Sequence, residues 1–373
     1  MSYIVVLGAQ RWMKLPTRTQ IFLTQLHRTH QILYFQPSPF RFSGSPRCKE
    51  YKNPCFHPRE NISVYTLPPV FELTNYDHPR LLQMDRKRLA GFIREKMRAH
   101  FIYHPLLWLC SPVYVHLLDD LEYRGMVYDC FRYWGQYDLR WESLVVNRAD
   151  VCFAASPGLR DHLSPCNNNI AVIPDGGDYT LFQRSEDLTL QAPPALMRLR
   201  GPLLGYLGDV NSRTDLTPVY RAARSHTAWH FVFAGRLSGA NESAELIRSL
   251  PNVHFLGKVP REELPRYAAH FDVLFDLLDT QDPDEDVVPS RIYEYLTVGC
   301  PIAAMYPERF TAVYPDVIYG ARSPREFVEA CEQAVLENSG WAVNARKRYG
   351  AEADWRLRSR FAQQVLERNS LLG

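Results

Sequence analysis

The chain has 373 residues, 46% of them hydrophobic and 23% charged, a composition for two ordinary folded domains and not for a disordered chain. Its 43 Lys and Arg nearly balance 41 Asp and Glu, so nothing marks it as a nucleic-acid binder. Eight cysteines, at 48, 55, 110, 130, 152, 166, 300 and 331, form no C-x-x-C pair, which argues against zinc or a thioredoxin motif.

The N-terminus is a strand, Tyr3 to Leu7, with no basic leader or cleavage site before it; this reads as no signal peptide and a reducing, cytoplasmic compartment. In an open α/β sheet the loop after the first strand faces the ligand crevice. That loop, Ala9 to Arg18, is rich in cations and aromatics. Two readings stay open: Arg11, Trp12 and Arg18 line an acceptor side, or Trp12 packs the loop and the arginines are solvated. A helix from Thr19 to Thr29 and a strand from Gln31 to Gln36 follow. Residues 37 to 60, rich in Pro, Ser, Arg and Lys, read as a surface excursion. Ile62 to Leu67 alternates as a strand. Asp85 to His100 is a helix with a cationic face, either merely solvated or in contact with anionic lipid. The most apolar run, Phe101 to Leu118, contains Pro105 and Pro112 and is too broken to span a membrane, so membrane contact would be peripheral.

Met126 to Cys130 is a strand with Asp129 at its carboxyl end, where it either orients an acceptor hydroxyl or caps a turn. A helix from Glu142 to Asp150 enters the strand Val151 to Ala155. Ile173-Pro-Asp-Gly-Gly-Asp178 is a tight turn. The polar stretch Ser185 to Leu199, with Pro193-Pro194, reads as the boundary. It divides a first domain, 1–185, from a second, 198–345, with terminal helices over 346–373 expected to pack back on the first.

The second domain opens with the strand Leu203 to Leu207 and Gly208-Asp209. A glycine there lets backbone approach a phosphate, and Arg213 can fork onto its oxygens. Arg236, after the strand His230 to Ala234, is a diphosphate ligand or a surface ion pair. Phe271 to Leu277 is a buried strand running into the acidic loop Asp279 to Asp286. Pro289 and Ser290 suit the first turn of a helix, the hydroxyl as a cap. Ile292, Tyr295, Leu296 and Val298 recur at helical spacing, and Gly299 is a left-handed C-cap. Pro301 stops the helix, Ile302 to Met305 is a buried strand, and Asp316 to Tyr319 closes the sheet. After Ser323 the pattern is helical. A helix N-terminus is an anion site, because its first N–H groups lack partners.

Arg291-Ile-Tyr-Glu-Tyr-Leu with Gly299-Cys-Pro resembles the donor-binding helix of GT-B glycosyltransferases similar to family 4, notably a bacterial branch of exopolysaccharide and teichuronic-acid enzymes. Ala149-Asp150 through Ser156, the Ile173 turn, Asn252 to Pro265, and Asp354-Trp355-Arg356 are similar to further segments of that family, in their order. The resemblance implies an α/β fold of two Rossmann-like domains facing across a cleft, with the last helix crossing back. It implies that Glu294 holds the donor ribose. The acid eight residues earlier, Asp286, lies near the transferred sugar, although the family usually has Glu there. Gly257, Lys258 and Val259 would meet the nucleobase, largely through backbone. Gly208, Asp209, Pro289, Ser290 and Ile292 complete the donor side, and Arg213, Arg236 and Arg291 neutralise the diphosphate in place of a metal. Trp355 is a packing anchor.

The expected activity is transfer of a hexosyl group from a nucleoside diphosphate sugar to a glycan or lipid-linked acceptor. It is expected to be retaining, and independent of metal and cofactor. The alternatives are an epimerase or phosphorylase on the same architecture, or a catalytically silent partner in polysaccharide assembly.

Overall fold

The computed structural model describes residues 2–26, 28–37, 55–70, 79–135, 139–211, 214–237, 242–277, 286–306, 314 and 316–372. The chain forms two compact units. One comprises Met1–Pro174 with Arg358–Gly373, and the other Asp175–Leu357.

The first unit carries strands β1 (Ser2–Leu7), β2 (His30–Gln36), β3 (Cys55–Arg59), β4 (Ile62–Thr66), β5 (Leu106–Leu109), β6 (Gly125–Cys130), β7 (Val151–Ala154) and β8 (Ile170–Val172). They form one sheet in the order β3-β4-β2-β1-β5-β6-β7-β8, parallel except for β3. β1, β5, β6 and β7 are almost wholly buried apolar runs, as strands covered on both faces must be. β3 lies where a surface excursion was expected. It is a half-exposed edge strand with Pro58 in it, and an edge is where a strand tolerates proline.

The second unit carries β9 (Leu203–Leu207), β10 (His230–Ala234), β11 (Val253–Phe255), β12 (Val273–Leu277), β13 (Ile302–Met305) and β14 (Ile318–Ala321). All its pairs are parallel, in the order β11-β10-β9-β12-β13-β14. The direction of winding reverses between β9 and β12. Crevices in open α/β sheets lie at the carboxyl ends of the strands flanking such a reversal. These two strands pair only through Val273–Leu204 and Leu274–Gly205 and then part. The Leu207 N–H, left without a ladder partner, donates instead to the Tyr295 hydroxyl at 2.8 Å.

The unit boundary falls at 174/175, ahead of the polar stretch expected to be the linker. The reason is packing. A Cβ on Gly177 would lie 2.9 Å from the Glu294 nitrogen, so this turn sits directly on the helix Ser290–Val298. Phe182 and Leu196 are then buried in the second unit's core. The terminal helices also divide. Gly340–Glu352 packs on Ser290–Val298 within the second unit, while the last helix, Trp355–Arg368, joins the first unit from Arg358 onward. There Asn369 accepts from Asn169 at 2.7 Å.

Candidate donor site and the acceptor-side residues

The helix Ser290–Val298 leaves the carboxyl edge of the second unit's sheet and is held along its length. At its start Arg291 crosses to β12 and donates to Asp276 at 2.5 Å. Tyr306 donates to the other Asp276 oxygen at 2.9 Å. At its end Gly299 takes φ 85, as a left-handed cap requires. The buried Arg346 donates 2.8 Å bonds to the carbonyls of Gly299 and Val317.

The N-terminus of this helix differs from the expectation in one respect. Pro289, extended at φ −63 and ψ 141, is the N-cap, and no side chain caps it. Ser290 is already inside the first turn. The Ile292 N–H bonds back to the Pro289 carbonyl at 3.0 Å. An uncapped helix start leaves its first amides for a ligand.

Beside it, Gly208 at the end of β9 takes φ 130. A Cβ on Gly235, at the end of β10, would lie 1.9 Å from the Gly208 carbonyl oxygen, so the two turns press backbone on backbone. Asp209 accepts from the Arg236 amide at 2.7 Å and from its Nη2 at 2.9 Å. Burial pushes the Asp209 carboxyl up, but the bonds and charge of Arg236 outweigh this and hold it below its ordinary value. Gly257 takes φ 72, Lys258 is exposed, and Val259 turns inward against the core.

Glu294 is only 7% exposed, and the Arg261 guanidinium makes a close ion pair with it. Burial raises its pKa, against the lowering effect of Arg261. Arg261 also stands 4.0 Å from the Asp178 carboxylate and 5.8 Å from the Phe182 ring centre. Asp178 in turn accepts from the Leu181 N–H at 3.1 Å.

Two assignments change. Arg291 was placed on the diphosphate, yet its charge is committed to Asp276, which is 0% exposed, and its guanidinium lies 4.3 Å from the Tyr206 ring centre. Burial alone would lower the Arg291 pKa; Asp276 more than reverses this. Ile292 is wholly buried in the apolar core and offers no side chain to a ligand. Arg236 pairs with Asp209 at the surface, and both side chains are exposed. Asp286 lies half-buried just ahead of the helix. Arg213 lies outside the described residues. Arg261 was missed. Its signal was a cation in a first helical turn, next to Glu262 and Glu263, where the dipole favours acids.

In the first unit Arg18 and Asp129 come together, with Arg18 Nε donating at 3.0 Å and both side chains buried. Thr19 donates to the second oxygen at 3.4 Å. Asp129 therefore anchors the loop after β1, and neither caps a turn nor stands open to an acceptor. Trp12 packs edge-on to Tyr34 at 5.2 Å, its amide bonded to Gln36 at 2.9 Å, while Arg11 is exposed. Trp355 is buried beside Gly176, and its N–H donates to the Gly177 carbonyl at 3.2 Å.

Among the described residues no group of three His, Cys, Asp or Glu side chains could hold a metal ion, and no helix is long and apolar enough to cross a membrane.

No family model matches the chain. It is 24% identical over 276 residues to TuaH of Bacillus subtilis, a glycosyltransferase ascribed to teichuronic acid biosynthesis, covering 67% of this chain and 68% of that one. Among solved structures it is similar to a sucrose-phosphate synthase from Thermosynechococcus elongatus (TM-score 0.69, 14% identity, 99% of each chain). It is similar to an E. coli trehalose-6-phosphate protein bound with UDP-2-fluoro glucose (TM-score 0.71, 11% identity, 98% of this chain and 99% of that one). It is also similar to Anabaena HepE in complex with UDP and glucose (TM-score 0.65, 12% identity, 98% and 99%). The two parallel-sheet units are those of the GT-B fold.

Proposed function

We propose that this chain, a glycosyltransferase of GT-B fold, moves a hexosyl group from a nucleoside diphosphate sugar to a glycan or lipid-linked glycan in bacterial cell-surface polysaccharide synthesis. The observation that carries the reading is the uncapped start of the helix Ser290–Val298 at the carboxyl edge of β9 and β12, with Glu294 one turn further in. The relative ascribed to teichuronic acid synthesis supports the pathway, and the neighbours solved with UDP support the donor class.

In the reaction the anomeric C–O bond to the diphosphate breaks and a C–O bond to an acceptor hydroxyl forms. The hydroxyl proton leaves with the nucleoside diphosphate. Charge on the departing group is met by the amides following Pro289 and by Arg213, Lys258 and Arg236, without a metal. Asp286 positions the sugar, and the outcome is retaining. The acceptor belongs to the first unit, at the loop bearing Arg11. The protein works in the cytoplasm, on the inner face of the plasma membrane. The exposed side of the helix Pro79–Ala99 carries Arg80, Lys87, Arg88, Arg94 and Arg98 toward anionic lipid. Beyond that helix stands Phe101, 76% exposed in the left-handed conformation that glycine usually takes.

The test is donor hydrolysis and binding across uridine, guanosine and thymidine diphosphate sugars. One of them should bind, and Glu294→Ala should weaken it by about tenfold or more, the worth of a hydrogen bond to a charged group. Unchanged affinity in that variant would remove the assignment.

A further inference from the structure

We propose that Arg261 is a positioning residue for the donor: paired with Glu294, it keeps that carboxylate charged and aimed so that both its oxygens can accept from the ribose hydroxyls. This rests on the reading of Glu294 as the ribose-binding group.

The argument starts from the cost of the carboxylate. A carboxylate so deeply buried is driven toward its neutral form. A neutral carboxyl carries a proton on one oxygen and loses part of its accepting capacity. Two adjacent hydroxyls are best met by an ionised carboxylate accepting both. Something must therefore hold the charge on Glu294 before the donor arrives.

The surroundings narrow the choice to Arg261. Asp178, across the Gly177 turn, is another acid, and its charge drives Glu294 further toward neutrality. On the other elements packed against this helix, Glu186 is 2.9 Å from Lys347, so those two charges answer each other. Arg266 faces Glu263 at 3.5 Å and donates to the Gln191 carbonyl at 2.7 Å. Among the described residues Arg261 is the cation in contact with Glu294.

The geometry also leaves room for the ligand. A carboxylate has about four lone-pair positions. The Arg261 guanidinium takes one, on a single oxygen, so the other oxygen and the remaining positions are left for hydroxyl donors. The Arg261 side chain is 31% exposed, and it is steadied by Asp178 and by the Phe182 ring. It is thus held in place without being sealed in.

The experiment uses the full chain and three variants: Arg261→Met, Arg261→Lys and Glu294→Ala. Binding of UDP, GDP and ADP identifies the preferred nucleotide, which is then compared with its 2′,3′-dideoxy form at pH 6 and pH 8.5. Wild type should prefer the ribose form by about tenfold or more, as a bond to a charged group implies. In Arg261→Met that preference should fall to within about twofold, and the affinity loss should be larger at pH 6 than at pH 8.5, because without the cation burial drives Glu294 further toward its protonated form as pH falls. Arg261→Lys should restore the high-pH affinity and most of the preference. A loss equal for both sugars and at both pH values would mean that Arg261 is only a packing residue, and would overturn the proposal. If no nucleotide binds wild type, or Glu294→Ala binds as tightly as wild type, the nucleotide reading of the site fails instead.

Discussion

Replacing Arg291 by Met tests whether that side chain supports the site or touches the donor. Asp276 is 0% exposed, and one of its oxygens accepts from Arg291 at 2.5 Å and from the Leu277 amide at 2.9 Å. Its other oxygen accepts from Tyr306 at 2.9 Å. Removing the cation leaves a buried carboxylate with a hydroxyl and an amide for company. Breaking a buried pair from one side costs about 3–5 kcal/mol. At about 2–4 °C per kcal/mol for a unit of this size, the melting temperature should fall by about 6–20 °C. Urea unfolding and thermal melting, with and without donor, measure this. Pairing Arg291→Met with Asp276→Leu removes both charges, and the double variant should be more stable than Arg291→Met alone. A single-variant cost within about 1 kcal/mol, or a double variant whose loss equals the sum of the two singles, would refute the reasoning. In either case the cation would be spending its charge elsewhere.

Two further outcomes are expected. Gly235→Ala puts a Cβ 1.9 Å from the Gly208 carbonyl, so the two strand-end turns must separate; donor binding should fall by tenfold or more, of the order of ~1.4 kcal/mol, and calorimetric titration against wild type reads it. For the membrane contact, wild type should sediment with vesicles containing phosphatidylglycerol and not with pure phosphatidylcholine. The variant Lys87→Glu, Arg98→Glu, Phe101→Ser should stay in the supernatant at unchanged melting temperature; co-sedimentation equal to wild type would dispose of that face as the contact.

Most strands of both sheets were readable because parallel strands buried on both faces carry uninterrupted apolar runs, as in Leu203–Leu207 and Ile302–Met305; the three-residue, half-buried β8 was not. β3 was not, since a half-exposed edge imposes no alternation on Cys55–Arg59. The helix Ser290–Val298 was legible from its spacing and from Gly299. Its cap was not: Pro289 and Ser290 both suit a first turn, and only the extended backbone at Pro289 decides. The unit boundary was misplaced for a related reason. Polarity over Ser185–Leu199 reads as linker, but what fixes the chain there is the Gly177 turn lying against Glu294, a contact across more than a hundred residues. Arginine types were visible and their partners were not. Arg18 finds its acid 111 residues away, Arg291 finds Asp276 15 residues back, and Arg261 finds Glu294 33 residues on.

Those partners sort the cations by what a diphosphate could recruit. Arg236 and Asp209 are 62% and 45% exposed, and an exposed pair of that kind is worth about 0–1 kcal/mol. A doubly charged ligand arriving at the Gly208 turn can therefore take Arg236 from Asp209 at little cost. The same exchange at Arg291 would strand Asp276 in the core at several times that cost, so Arg291 stays where it is and acts through the turns it supports. The first amides after Pro289 are fixed dipoles that the N-cap residue itself does not cap, so they need no ion pair to break. Diphosphate charge is thus met first by fixed dipoles, next by cations loosely held at the surface, and least by the arginine tied to the buried Asp276, although Arg291 stands in the motif nearest the site.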